Sequence, residues 1–221
     1  AEFPLEPQLS KVLLSAPKYG VVNEILTIVA CLNSPNVFLR PKDKQAEASD
    51  AQAKFVSQDG DHLTLMNAFF EYKRRNQDVD WCFKNYLNHR HLKSAFDVRD
   101  QLKTIIENYK LVKDEIPLKT NSTAIKKCLL TGYFTQVALL QKNNVYLTAK
   151  DSQVVVIHPS SVLAYRPEYV LYHELVLTKK NYMRTVIDVK SAWLFEIAPT
   201  YFRPETIKNI ETRKALALAE K

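Results

Sequence analysis

Five histidines, three cysteines and scattered acidic side chains are the residues of this 221-residue chain that could ligate a metal or move a proton. Their spacing organises none of that chemistry. His89 and His91 stand two apart, which on a helix aims them at different sides, and His62, His158 and His173 stand far from them; no H-E-x-x-H run exists. Cys31, Cys82 and Cys128 are odd in number, widely separated and never in a C-x-x-C pair, so neither a zinc site nor a disulfide framework is expected and a reducing compartment fits. The glycines are only Gly20, Gly60 and Gly132, too few for a phosphate loop, a dinucleotide fingerprint or a nucleophile elbow. Asp59 and Asp61 could pass for an acid pair, but their place before a helical pattern favours turn and cap roles. No catalytic and no metal-ligating residue is expected, and an enzyme acting alone is not the reading.

Binding chemistry is better represented. The net charge is +7, and residues 121–190 hold nine basic against four acidic side chains, +5 of that total. A local positive field is the sequence-independent part of nucleic-acid binding. Two segments could use it. Asn33-Ser34-Pro35-Asn36-Val37-Phe38-Leu39-Arg40-Pro41 is an extended loop fixed by two prolines, with Asn33, Asn36 and Arg40 as donors for sugar, phosphate or base. Thr178-Lys179-Lys180-Asn181-Tyr182 sets two ammonium groups, an amide and a ring on one polar tip, which is otherwise a solvated turn. The run Lys73-Arg74-Arg75 reads as solvated charge at a helix end.

The first half of the chain has helical period and the second half a period of two. Helices are expected over Asn23–Leu32, Asp43–Phe55, Leu63–Tyr72, Trp81–Leu87 and Leu92–Tyr109, with Phe70, Phe96 and Tyr109 as core. A polar linker over Lys113–Ser122 leads to a helix at Thr123–Thr131, where Gly132 would supply a positive-φ end. Strands are expected at Tyr133–Leu139, Val145–Thr148, Val154–His158, Tyr169–Leu177 and Tyr182–Val189. Five short strands suit a small Greek-key barrel of the oligonucleotide-binding (OB) type. Ser191 would cap a short helix through Trp193–Ile197, and Pro204–Lys221 would form a terminal helix. The apolar runs are far shorter than a membrane span, and the opening Ala-Glu-Phe-Pro-Leu lacks the pattern of a signal peptide.

The ordered blocks NVFLRPKDKQAEA, GDHLTLMNAF, WCFKNYLNHRHLKSAFDVRDQL, TGYF, VIHPSSVL, YVLYHELVLTKKNYMRTV and WLFEIAPTYF resemble the C-terminal region of DEAH-box RNA helicases over nearly the whole chain. TGYFTQVALL, KNYMRT and DVKSAWLFEIAP are most similar to the branch that works with G-patch activators in pre-mRNA splicing and ribosome biogenesis. The resemblance implies an α+β chain: the end of a winged-helix domain (1–7), a helical ratchet-like bundle, also called helicase-associated 2 (8–115), a five-stranded OB-fold barrel (120–203) and a C-terminal tail helix (204–221).

It also implies a function. The chain would be a non-catalytic RNA-guiding and regulatory module, with Pro35 and Arg40 matching contacting residues and Asn33 standing where relatives often carry serine. Lys179, Lys180 and Asn181 would add to the RNA path. The implied partners are single-stranded RNA, a G-patch activator, spliceosomal proteins and the helicase's own ATPase lobes. ATP and Mg2+ would belong to those lobes and no cofactor to these residues. The implied location is the nucleus, with nucleolus and cytoplasm as further sites. A rival reading is a protein-docking platform, with Tyr169 and Tyr172 as exposed anchors and RNA contact incidental.

Overall fold

Gly20 ends the first helix in the left-handed conformation (φ 67°), where its N–H reaches the carbonyl of Pro17. That helix, α1 (Pro7–Tyr19), carries Pro7 at its start and buries Leu9, Val12, Leu13 and Ala16. It is the one helix that sequence periodicity left unassigned: Pro17 lies inside it and interrupts the pattern. The computed structural model describes the chain except residues 1–3, 109–119, 143, 204, 206, 208, 220 and 221. Tyr109 and most of the expected linker lie outside the described residues.

The chain divides into two compact units, one of residues 1–57 and 62–121, the other of residues 58–61 and 122–221. In the first, α2 (Val22–Leu32) is followed by α3 (Gln45–Gln52), a 3-10 turn (Ala53–Phe55), α4 (Asp61–Arg74, from His62 onward in this unit), α5 (Val79–Lys84) and α6 (His89–Asn108). Cys31, Val37, Phe55, Phe69, Tyr72, Leu87 and Leu92 form its core, with Phe70 and Phe96 packed against it. Phe96 stacks on Phe69 at 6.1 Å, and Trp81 meets Phe55 edge-on at 5.8 Å. Arg99 is buried between α2 and α6, where it donates to the Thr27 hydroxyl at 2.9 Å and to the Asn23 carboxamide.

The second unit opens with α7 (Ser122–Tyr133). Gly132 lies buried inside this helix and not at a positive-φ end, and Tyr133 is helical and not part of the first strand. The cause is tertiary: Tyr133 is buried, with its hydroxyl 2.8 Å from Nδ1 of His173, so the helix runs on to deliver it. Then come β1 (Val137–Leu140), β2 (Tyr146–Thr148), β3 (Val154–Ile157), β4 (Tyr169–Leu177) and β5 (Asn181–Asp188). They close a barrel in the order β1-β2-β3-β5-β4, with β4 returning to β1. Only the β3–β5 seam is parallel, through Val156↔Tyr182 and Ile157↔Met183. Ala138, Tyr146, Val155, Val170, Tyr172, Met183 and Val186 form its core.

Two helices follow the barrel. Ser191 is the first residue of α8 (Ser191–Ile197); Lys190 precedes it with no side-chain cap bond, so the expected serine cap is absent. The last helix, α9 (Ile210–Ala219), starts later than expected because Asn209 Oδ1 receives the Thr212 N–H at 2.9 Å and fixes the start there. The α+β class, a helical part followed by a five-stranded closed barrel and a C-terminal helix, is the one read from the sequence.

Candidate nucleic-acid interface

Residues 33–41 leave α2 as an extended loop whose backbone is held at several points. Ser34 donates its hydroxyl to the Ala30 carbonyl at 3.0 Å, and Asn36 Oδ1 takes the Phe38 N–H at 3.1 Å. Phe38 forms an isolated antiparallel bridge with Leu87; the Leu39 N–H donates to the Tyr86 carbonyl and the Asn88 N–H to the Val37 carbonyl, each at 2.8 Å. Buried Gln52 donates from Nε2 to the carbonyls of Leu39 (3.0 Å) and Tyr86 (2.9 Å). His91 Nδ1 lies 2.7 Å from the Asn36 carbonyl oxygen. Val37 is buried beneath, while Asn33, Pro35, Asn36, Leu39 and Arg40 are exposed. The loop is thus anchored through its backbone, and its candidate contact groups face solvent.

Gln52, Tyr86, Asn88 and His91 are the residues that sequence reading missed here. A partial signal existed: Asn88 accepts the His91 N–H at 3.2 Å as the cap of α6, and an Asn before a helical run is a readable N-cap. Nothing local could show that this cap region also seats a loop some 50 residues upstream, as the Asn36–His91 separation of 55 measures.

In the other unit, β4 and β5 form a hairpin closed by Thr178, Lys179 and Lys180, with the Thr178 N–H donating to the Lys180 carbonyl at 3.0 Å. Lys179 and Lys180 are exposed; Asn181 is half-buried and is the first residue of β5, paired with Leu177, and not part of the turn itself. Among the described residues neither lysine nor Arg40 takes part in an ion pair. Their charge is therefore uncommitted within the described chain. Arg184, further down the hairpin, pairs with Glu174 at 3.5 Å.

Tyr169 and Tyr172, read as exposed anchors, are 3% and 5% exposed. Alternation fails here because Tyr169–Tyr172 are four consecutive buried residues: one strand face lines the barrel and the other is covered from outside. Burial pushes both phenols up to about 12. It also pushes the thiols of Cys31 and Cys128 up to about 12 and that of Cys82 to about 11, which keeps all three protonated and poorly nucleophilic at neutral pH.

The acidic pair resolves into two structural roles. Asp59 and Asp188 both contact the buried Lys126 ammonium at 2.6 Å. Burial pulls that ammonium's pKa down, but hydrogen bonds to the two carboxylates and their charge outweigh it, and the net shift is upward. Asp61 instead accepts the N–H groups of Val162 (2.8 Å) and Val186 (2.7 Å).

Two family models match the chain. Residues 6–65 match the helicase associated domain (HA2), ratchet-like, and residues 125–201 match the oligonucleotide/oligosaccharide-binding (OB)-fold. Together they mark the C-terminal region of DEAH-box-type helicases. The HA2 match contains the anchored loop, and the OB match contains the whole barrel and its lysine tip. Gly20 caps α1, Gly60 is pressed against β5 and Gly132 is inside α7. No group of three or more His, Cys, Asp or Glu is placed to hold a metal ion among the described residues, and no helix there is long and apolar enough to cross a membrane.

Proposed function

We propose that this module guides single-stranded RNA, without catalysing a reaction itself, for an ATP-dependent DEAH-box RNA helicase. The helicase would act in the nucleus on pre-mRNA splicing complexes and in ribosome biogenesis. The observation that carries this reading is the loop at residues 33–41: an anchored backbone presenting Asn33, Pro35 and Arg40 to solvent. A prepositioned loop loses little conformational entropy when it takes a ligand. The Arg40 guanidinium would hold phosphate or sugar, Pro35 would abut a base, and Asn33 would offer its amide. Lys179, Lys180 and Asn181 would add charge and a donor for RNA.

ATP and Mg2+ are assigned to ATPase lobes outside these residues. A G-patch activator and spliceosomal proteins are the proposed protein partners. The motifs that resemble the G-patch-activated branch support that assignment; the HA2–OB pairing supports only the broader helicase reading.

Fluorescence anisotropy with a single-stranded oligouridylate, over a series of salt concentrations, tests RNA guidance. Affinity should be weak and should fall linearly on a log–log plot, by about 0.7 per phosphate contacted. Absence of binding at low salt, or an affinity that salt leaves unchanged, refutes the reading.

A further inference from the structure

The fourth strand outruns its neighbour. β4 pairs with β1 only from Tyr169 to Leu171, while its pairing with β5 continues to Leu177↔Asn181. Among the described residues, Glu174–Leu177 therefore have a strand on one edge alone. An antiparallel strand turns alternate backbone N–H and C=O groups to each side, so this stretch turns some of them to an edge on which no strand pairs among the described residues.

The side chains on this stretch are unusual for an open edge. Leu175 is 39% exposed and Leu177 is 77% exposed, and strand periodicity places both on one face. Natural edges are normally protected by lysine, proline, a bulge or shortness, not by paired leucines. The nearby charge is positive: Lys179 and Lys180 are exposed at the turn, while Glu174 is already matched by Arg184. Open backbone groups, two leucines and uncommitted ammonium groups together describe a site for strand addition, where main-chain bonds give affinity and alternate side chains give selectivity.

We propose that the free edge of β4 between Glu174 and Leu177 receives an extended acidic segment of a partner protein as an added strand. Apolar residues of that segment, alternating with acidic ones, lie on Leu175 and Leu177, and its carboxylates face Lys179 and Lys180. The proposal needs no RNA. It differs from the rival docking reading in its anchors, because Tyr169 and Tyr172 are buried and these leucines are not.

The test uses the whole 221-residue chain and a short synthetic peptide alternating leucine with aspartate, followed by amide chemical shifts. Saturable shifts should cluster at residues 174–181. Methylating alternate peptide nitrogens should abolish them in one of the two registers, and a leucine–lysine peptide should not produce them. Leu175→Thr with Leu177→Thr, uncharged and compatible with a strand, should weaken the peptide about tenfold or more, as loss of leucine burial predicts, while oligouridylate binding stays unchanged. A melting curve matching that of the parent confirms that this variant folds. The proposal is overturned if residues 174–177 do not shift, if the basic peptide binds equally, or if oligouridylate depends on the two leucines as strongly as the peptide does. Failure of RNA binding alone would strike the proposed function and leave the strand site standing.

Discussion

Asp61 and Val186 are 125 residues apart in sequence, yet Asp61 Oδ2 accepts the Val186 N–H at 2.7 Å while Oδ1 accepts that of Val162 at 2.8 Å. Val186 lies in β5 and Val162 in the segment after β3, so one carboxylate ties β5 to that segment. The parallel β3–β5 seam has only two registered residue pairs, as few as the antiparallel β2–β3 pairing. Asp61→Asn keeps the shape but offers a single acceptor oxygen, leaving one amide N–H facing an NH2 group. Stability should fall by about 1–3 kcal/mol, the cost of an orphaned buried donor. Denaturant unfolding measures the loss, and hydrogen exchange at the Val162 and Val186 amides should quicken with it.

Gly60 makes the same attachment sterically strict. Its φ is 128°, it bridges Ile187, and a Cβ built on it would lie 2.7 Å from the Val186 carbonyl oxygen and 2.9 Å from the Ile187 Cα. Both neighbours are backbone and cannot swing aside. Gly60→Ala should therefore cost about 2–3 kcal/mol, at the upper end of what one strained residue carries. Thermal unfolding of the variant against Gly20→Ala checks the steric part. Gly20 also has positive φ, but nothing lies within 4 Å of its Cβ position, so its penalty should be the smaller one.

How legible these features were follows from their range. Tyr169–Leu177 is rich in aromatic and branched apolar residues and is bounded by a polar turn, so the strand is found at its true limits. The loop at residues 33–41 was legible from its two prolines, and its exposed Pro35 and Arg40 agree with that reading. The buried Tyr169 and Tyr172 were not legible, because alternation says that one face is apolar and cannot say that the second is covered. The attachment of Asp59, Gly60 and Asp61 to β5 and α7 was beyond reach as well. A turn signal reports local φ/ψ, and these contacts are made by groups with no sequence neighbour in common. Exposure of Leu177 belongs to the same class: the strand pattern predicts its face but not how far β4 outruns β1.

Glu24, in the first turn of α2, is buried, and its Oε2 has no hydrogen-bond partner among the described residues. Burial raises its pKa above the ordinary 4.5, and its own backbone N–H offsets this only in part. A carboxyl whose folded pKa lies above the unfolded value binds its proton more tightly when folded. Stability therefore falls as pH rises from below 4.5 through the raised folded value, and stays lowered at neutral pH. Glu24→Gln should raise the melting temperature at pH 7, and the gain should vanish below the ordinary carboxylate range. Melting curves over that pH interval decide it; a gain that persists unchanged in acid would mean packing, not charge, is responsible.

Arg40 and Gln52 act on the same loop in different ways, and salt separates them. Arg40 is exposed and outside every ion pair among the described residues, so Arg40→Ala should leave stability within about 0.5 kcal/mol. It should weaken oligouridylate binding and make the log–log salt slope shallower by about 0.7, one phosphate contact on a single strand. Gln52 carries no charge. Its Nε2 joins the carbonyls of Leu39 and Tyr86; Gln52→Ala takes the side-chain donor from both and leaves the Tyr86 carbonyl only the Leu39 N–H, at a cost of about 1–3 kcal/mol. RNA affinity should then drop because residues 39–40 lose their fixed position, yet the salt slope should stay that of the parent. Exchange at the Leu39 amide, which donates to Tyr86, should accelerate in Gln52→Ala and not in Arg40→Ala. If the two variants instead change the salt slope alike, the carboxamide is acting on the ligand directly and not through the loop it anchors.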